Sequence, residues 1–194
     1  MNVNIVLFDD FNALDALGPA EVFGKFPEHF HIRYLSASGD VINSAQGLKV
    51  WTDSLRPEEI DGVFLIPGGK GARRLLWREE ALLDLIRDCA KNAELCMMVG
   101  NGSALAAQTG LLYRRKIADI AEDKNWNRMF TAGIDRLASY RIVLDGKFYS
   151  CRDTLSGIGM ALFAIEELLD ISLAEKAATA VGYAWDQDAE DVFR

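Results

Sequence analysis

The chain alternates between short apolar runs and longer stretches of helical periodicity. The runs have the length of strands, and several are apolar throughout, as is typical of strands that are covered on both faces. The predicted strands are Val3–Phe8, His31–Ser36, Gly62–Ile66, Leu95–Val99, Tyr140–Leu144 and Lys147–Cys151. Asp145-Gly146, between the last two runs, predicts a hairpin turn.

The intervening stretches predict amphipathic helices. Glu80–Ala93 and Thr154–Leu169 each place their apolar residues on one face, and Asp153 or Thr154 is suited to cap the second. Ser103–Leu112 is rich in Ala and Leu and predicts a buried helix. Strands that alternate with helices indicate an α/β fold, a mostly parallel sheet between helices, with ligands bound at the carboxyl ends of the strands.

Composition narrows the class of protein. The chain has 194 residues, of which 50% are hydrophobic, and no linker or repeat divides it, so we expect a single domain over residues 1–194. The net charge of -8 repels phosphate backbones and anionic lipid, which argues against nucleic acid and membranes as partners. We expect no signal peptide and no membrane span, and three sparse cysteines favour reduced thiols in the cytoplasm.

The loop after the first predicted strand contains Asp15, just before a Gly-Pro pair, and Glu21 follows in an apparent helix. A carboxylate at the end of a strand is placed to act as an acid or base. The simpler interpretation is that Asp15 caps a helix and Glu21 is solvated. This loop alone favours the simpler interpretation.

A second candidate is the turn Pro67-Gly68-Gly69-Lys70-Gly71, which follows another predicted strand. Glycines at such a turn let backbone N–H groups converge on an anion, although a tight turn without function explains them equally well. The spacing is not that of a Walker phosphate loop.

The third candidate is the corner where Leu95–Val99 gives way to the predicted helix. A strand, a sharp turn and a helix form a nucleophile elbow, which holds one side chain out at the helix N-terminus. The expected residue is Cys or Ser, but the corner reads Gly100-Asn101-Gly102. Gly100 has no side chain, and Asn101 forms hydrogen bonds but is no nucleophile.

Other chemistries have weaker support. Gly100-x-Gly102-x-x-Leu105, with Asp119 further on, partly matches a dinucleotide fingerprint, but Leu105 is bulky where Gly or Ala belongs. His29 and His31 would share a face of a strand, yet no third metal ligand has a recognisable spacing. We predict no cofactor and no metal. Cys96 and Cys151 are interpreted as structural thiols, although Cys151 ends a strand close to the expected site.

Together these blocks resemble the DJ-1/PfpI (ThiJ) superfamily along essentially the whole chain. They are Leu14-Asp15-x-x-Gly18-Pro19-x-Glu21-Val22-Phe23, Ile66-Pro67-Gly68-Gly69, Gly102-Ser103-Ala104-Leu105 and Gly110-Leu111-Leu112. The ending Gly182–Asp188 resembles a bacterial branch of intracellular protease/amidase or isonitrile hydratase-like proteins. The resemblance implies a flavodoxin-like three-layer sandwich, related to class I glutamine amidotransferase domains, and a homodimer.

The resemblance also implies roles for single residues. The acid of the family site falls on Asp15, its oxyanion-binding N–H groups on Gly69 and Lys70, its nucleophile on Gly100 and the neighbour on Asn101. The family elbow reads Val-Cys-Thr-Gly, so the nucleophile position is vacant here. Further departures fall on Ala118-Asp119-Ile120 and on Asp153-Thr154-Leu155-Ser156-Gly157.

Two hypotheses follow. The first is a non-catalytic, dimeric member of the superfamily that binds a small molecule through Gly69, Lys70 and Asn101, or that only supports assembly. The second is a cysteine-independent hydratase, amidase or glyoxalase-like enzyme that uses Asp15, with Cys151 or Asp153 replacing a missing group. The first is more economical, because no thiolate intermediate can form at Gly100. We expect residues 189–194 to be a loosely held tail.

Overall fold

A computed structural model describes residues 1–78, 80–120 and 133–194, with the side chains of residues 77 and 78 outside the description. Its centre is a nine-stranded sheet, in the order β11-β9-β10-β6-β5-β1-β2-β4-β3. The described strands are β1 (Asn2–Val6), β2 (His31–Ser36), β3 (Asp40–Asn43), β4 (Lys49–Ser54), β5 (Val63–Ile66), β6 (Leu95–Val99), β7 (Lys116–Ala118), β8 (Asp135–Leu137), β9 (Ile142–Asp145), β10 (Phe148–Cys151) and β11 (Val192–Phe193). β7 and β8 form a separate parallel pair.

The central strands are parallel and buried, as their unbroken apolar sequences predict. Every residue of β5 and β6 is buried, and β1, β5, β6 and β10 pair in parallel. Among the described strands, only β9 with β10 and β3 with β4 pair antiparallel. The predicted α/β fold with a mostly parallel sheet is therefore confirmed.

The described helices pack in two groups. They are α1 (Ala13–Phe23), α2 (Lys70–Arg78), α3 (Glu80–Asn92), α4 (Gly102–Gln108), α5 (Ser156–Leu168) and α6 (Ile171–Val181), and a short 3-10 turn covers Pro57–Glu59. α1, α5 and α6 contact one another, while α2, α3 and α4 form the other group. No helix of the described residues is long and apolar enough to cross a membrane.

Local signals explain several boundaries. The hairpin predicted at Asp145-Gly146 is confirmed, because Asp145 pairs with Phe148 across a turn in which Gly146 has a φ of 59°. The N-cap of α5 is Leu155 rather than Asp153 or Thr154, although Asp153 Oδ1 accepts hydrogen bonds from the backbone N–H of Ser156, the first residue of the helix, at 2.9 Å and from its hydroxyl at 2.8 Å.

The chain end differs from our expectation. Residues 189–194 were predicted to form a loose tail, but β11 pairs with β9 in this segment. Arg141 forms an ion pair with Asp191 at 2.8 Å, and Arg194 forms one with Glu166 at 2.8 Å. The prediction was wrong because a two-residue strand and long-range ion pairs leave no periodic pattern in the sequence.

Candidate ligand site

The corner between β6 and α4 has the backbone of a nucleophile elbow. Gly100 follows the last residue of β6 with a φ of 51°, in the left-handed region that residues with a side chain seldom adopt. Its N–H donates to the carbonyl of Cys151 at 3.0 Å, which fixes the corner against the end of β10. Helix α4 begins two residues later, at Gly102.

The corner has room for a side chain at Gly100. Among the described residues, a Cβ placed there would meet only the Asp15 Oδ2 atom within 4 Å, at 3.9 Å, which is ordinary van der Waals contact. A Cβ at Gly102, by contrast, would overlap the carbonyl oxygen of Ile66 and lie 2.7 Å from that of Pro67. Packing therefore requires glycine at position 102 but not at position 100.

Asp15 lies beside this space and is 3% exposed. Its Oδ2 accepts a hydrogen bond from the Gly68 N–H at 3.0 Å, and its Oδ1 accepts one from Asn12 Nδ2 at 2.8 Å. The alternative that Asp15 caps a helix is wrong, because α1 begins at Ala13 and Asp15 lies inside it, with its side chain bonded to the turn after β5. Glu21 is exposed, as that alternative expected.

Asn101 binds the same turn through its side chain. The Gly69 N–H donates to Asn101 Oδ1 at 2.7 Å, and Asn101 Nδ2 donates back to the Gly69 carbonyl at 3.0 Å. The Gly69 N–H, predicted to bind a ligand, is therefore already bound to Asn101 in this conformation. The sequence did not reveal this pair, because residues 69 and 101 meet only through the pairing of β5 with β6.

These residues line a cavity of about 670 Å³. This volume is within the usual range for small-molecule sites. The cavity brings together every predicted site residue, namely Asp15, Gly69, Lys70, Gly100 and Asn101. The other lining residues are Asn12, Ala45, Gln46, Arg73, Ile120, Arg152, Asp153 and Thr154.

The additional polar residues form a connected network. Asn12 Nδ2 donates to Thr154 Oγ1 at 3.0 Å as well as to Asp15, and Asn12 Oδ1 accepts from Gln46 Nε2 at 3.1 Å. Gln46 in turn accepts from the Ala13 N–H at 2.9 Å. Sequence reasoning missed Asn12, Gln46 and Arg73, which lie in loops or on a helix without a recognised motif. The sequence departs from the family pattern at Ile120, Asp153 and Thr154, and these residues line the cavity.

The cysteines are placed as structural thiols. Cys151 is 1% exposed, and its thiol donates to the Asp153 carbonyl at 3.4 Å rather than lining the cavity. Burial raises the pKa of the Cys151 thiol, and the Asp15 and Asp153 carboxylates act in the same direction. Burial likewise raises the pKa of Cys89 and of Cys96 to about 12. Each thiol is therefore neutral at physiological pH, which is the opposite of an activated nucleophile.

The remaining candidates lie apart from the cavity. His31 begins β2 while His29 lies in the preceding turn, so the two do not share a strand face as predicted. The described residues contain no group of three or more His, Cys, Asp and Glu placed to hold a metal. Asp119 is not among the cavity residues, and Leu105 is fully buried.

Comparison with known proteins agrees with this fold. A ThiJ/PfpI family protein from Pseudomonas syringae superposes with a TM-score of 0.83 at 23% identity, over 97% of this chain and 77% of that one. An AraC family transcriptional regulator from Pseudomonas putida gives 0.80 at 19% identity, over 93% and 98% of the two chains. A cysteine-to-alanine mutant of a DJ-1 superfamily protein from Salmonella typhimurium gives 0.81 at 18% identity, over 95% and 99%.

These likenesses are all below 25% identity and show the fold alone. No curated protein matches the chain by sequence. The DJ-1/PfpI family model, however, matches residues 1–167, which is most of the chain. The buried acid after β1, the glycine turn after β5 and the corner after β6 lie within that match, and the chain belongs to the DJ-1/PfpI family.

Proposed function

We propose that this DJ-1/PfpI protein binds a small molecule in the cavity at Asp15 and Gly100 and does not catalyse a reaction on it. The observation that carries the proposal is the corner at Gly100, which has the left-handed backbone of an elbow and space for a side chain but supplies none. Covalent catalysis needs a nucleophile at that point.

The rest of the cavity wall supports the proposal. Its described residues include no thiol and no imidazole. Among the described residues its one hydroxyl is that of Thr154, which accepts a hydrogen bond from the Asn12 amide, a group that cannot act as the base that activates a hydroxyl. Two groups that the resemblance assigns to the substrate already form hydrogen bonds within the protein. The Asp15 carboxylate accepts from the Gly68 N–H, and the Gly69 N–H donates to Asn101.

The competing function is a cysteine-independent hydratase, amidase or glyoxalase-like enzyme in which Asp15 activates water. The burial of Asp15 next to open space at Gly100 is what favours it. It is the weaker candidate, because both carboxylate oxygens already accept hydrogen bonds and neither Cys151 nor Asp153 replaces the nucleophile. Cys151 does not line the cavity, and Asp153 Oδ1 accepts hydrogen bonds from Ser156 at the start of α5.

One structural neighbour bears on the choice between binding and catalysis. The Pseudomonas putida protein is described as a transcriptional regulator rather than as an enzyme. A ligand-binding cavity without turnover would suit such a role, although the likeness itself is one of fold. The homodimer and the cytoplasmic location, expected from the resemblance and from the cysteines, stay predictions. Light scattering on the purified protein and cell fractionation test them.

The proposal is tested by a ligand-observed NMR screen of small polar molecules with a matched pair of variants. Ala45→Trp places an indole at the cavity, while Ala37→Trp makes the same change at an exposed alanine beside a different cavity. We expect the hits to lose binding in Ala45→Trp and to keep it in Ala37→Trp. Hits that bind both variants equally would contradict binding at this site.

A further inference from the structure

A smaller cavity, of about 270 Å³, lies between α5 and the β9–β10 hairpin, and we call it the hairpin cavity. Phe163, Glu166 and Glu167 line it from α5, where they are three and four residues apart and therefore share a face. Tyr149 of β10 and Arg194, just after β11, also line it. The hairpin cavity shares no lining residue with the candidate ligand site described above, so it is a separate feature of the fold.

The guanidinium group of Arg194 is bound at this cavity on three sides. Its central carbon lies 4.7 Å from the centroid of the Phe163 ring. Its Nη1 and Nη2 donate to the two carboxylate oxygens of Glu166 at 3.1 and 2.8 Å, and Nη2 also donates to the Gln187 carbonyl at 3.2 Å. A ring face and a carboxylate that accepts two hydrogen bonds are the contacts by which proteins recognise a guanidinium group. The site around Arg194 therefore has the chemistry of a guanidinium receptor.

Tyr149 supplies a further polar group at the same cavity. The residue is 5% exposed, and its hydroxyl forms no hydrogen bond within the described part of the chain. A buried tyrosine hydroxyl usually has a hydrogen-bond partner. Burial raises the pKa of Tyr149 to about 12, and the nearby carboxylates of Glu167 and Glu166 act in the same direction, so the phenol is neutral at physiological pH. A ligand with N–H groups can therefore donate to the Tyr149 oxygen.

We infer that the hairpin cavity is a second ligand site, which binds the guanidinium group of a small molecule and which Arg194 occupies as an internal ligand in this conformation. The incoming group takes the place of Arg194 on the Phe163 ring and the Glu166 carboxylate and donates to Tyr149. Arg194 can leave without opening the core, because its side chain is 47% exposed. While it stays, it competes with the ligand at the high effective concentration of a tethered group.

The test uses butylguanidinium as the probe in isothermal titration calorimetry, with wild type and Arg194→Gln. We expect Arg194→Gln to bind the probe about tenfold more tightly than wild type, because the tethered competitor is gone. Butylurea has the same planar head group without the charge, and butylammonium has the charge without the plane. Both should bind Arg194→Gln at least about tenfold more weakly than butylguanidinium, since neither forms a charged pair of parallel hydrogen bonds with Glu166.

Further variants assign the binding to this cavity. Glu166→Gln, combined with Arg194→Gln, should remove the gain in affinity. Arg56→Gln is the matched control, because Arg56 forms an exposed ion pair with Glu59 at 3.2 Å, and this variant should bind the probe as wild type does. A measurement on wild type keeps the test decisive if Arg194→Gln does not fold. In the NMR spectrum, butylguanidinium should shift the Nε–H signal of Arg194 and leave that of Arg56 unchanged.

Three results would overturn the inference. The first is an affinity of Arg194→Gln for butylguanidinium that equals that of wild type, or no binding by either protein up to about 10 mM, which is weaker than specific small-molecule binding. The second is butylurea or butylammonium that binds as tightly as butylguanidinium. The third, in wild type, is an Arg194 signal that the probe does not shift. None of these results concerns the proposed function, because the two cavities share no lining residue.

Discussion

Gly100 and Gly102 lie two positions apart at one corner, but they are glycines for different reasons. At Gly102 a side chain would collide with the backbone of the turn after β5. At Gly100 the described residues leave open space beside Asp15, and the φ of 51° is what opposes a side chain. The described residues therefore leave room at the corner for a side chain at position 100 but not at position 102.

The largest expected effect on stability distinguishes these two glycines. Gly102→Ala should lower the free energy of unfolding by about 3 kcal/mol, because backbone must move to admit the Cβ. Gly100→Ala should cost only about 1–2 kcal/mol, the cost of a left-handed backbone. Urea denaturation measures both. Equal losses in the two variants would refute the contrast between them.

A thiol restored at the corner should behave unlike the native cysteines. We expect Gly100→Cys to be alkylated by iodoacetamide at pH 8 about a hundredfold faster than the wild-type protein, because the three native thiols are buried and their pKa values are raised. Mass spectrometry follows the labelling.

Gly146→Cys is the matched control for this labelling. Gly146 has a similar φ, of 59°, but lies exposed in the β9–β10 hairpin. It shows the rate of a fully accessible thiol on a left-handed backbone. If Gly100→Cys were labelled as slowly as the wild type, the space at the corner would not be accessible from the cavity.

The two hydrogen bonds between Asn101 and Gly69 should have an intermediate effect on the free energy of unfolding. Asn101→Ala removes two hydrogen bonds and should lower the free energy of unfolding by about 2 kcal/mol. Hydrogen exchange of the Gly69 amide should become faster. Asn101→Asp is the control, since its carboxylate accepts from the Gly69 N–H but cannot donate to the Gly69 carbonyl. Unchanged exchange at Gly69 in Asn101→Ala would show that the pair does not form.

The buried thiols should affect stability at alkaline pH and not at neutral pH. Because burial raises the pKa of Cys89 and Cys96 to about 12, these thiols stay protonated in the folded state while they ionise in the unfolded chain above about pH 9. Their contribution is fully present below pH 9 and is lost as the pH rises toward 12. Each thiol should contribute a slope of about 1.4 kcal/mol per pH unit in that range.

Chemical denaturation at several pH values measures this slope. Cys96→Ala should reduce it by one thiol's share while shifting stability at pH 7 by a constant amount. A slope that is unchanged in Cys96→Ala would contradict the assignment to this cysteine.

The sequence was most informative where burial dictates residue type. The predicted bounds of β2 and β6 are those of the structure, and the other predicted strands are off by a few residues. The edge strand β3 and its neighbour β4 were missed, because strands with exposed residues mix polar and apolar positions. The same holds for β11, which is stabilised by pairing and ion pairs distant in sequence.

The candidate site shows a similar division. Asp15, Gly69 and Gly100 were predicted together because the family resemblance assigns them to one site, at the edge of the sheet where parallel strands end. The bond of Asn101 to Gly69 was not predicted, and neither were Gln46 and Arg152 as cavity residues. These depend on the register of neighbouring strands and on loops that approach from other parts of the chain, which no local pattern encodes.

The central claim is that the cavity binds without catalysis, and turnover tests it most directly. Wild type, Asp15→Asn and Gly100→Cys are assayed side by side on an isonitrile, a primary amide and methylglyoxal. We predict that wild-type rates equal those of Asp15→Asn and of buffer alone, because the corner supplies no nucleophile. Wild-type turnover that Asp15→Asn abolishes would contradict the account and establish an enzyme that works without the cysteine.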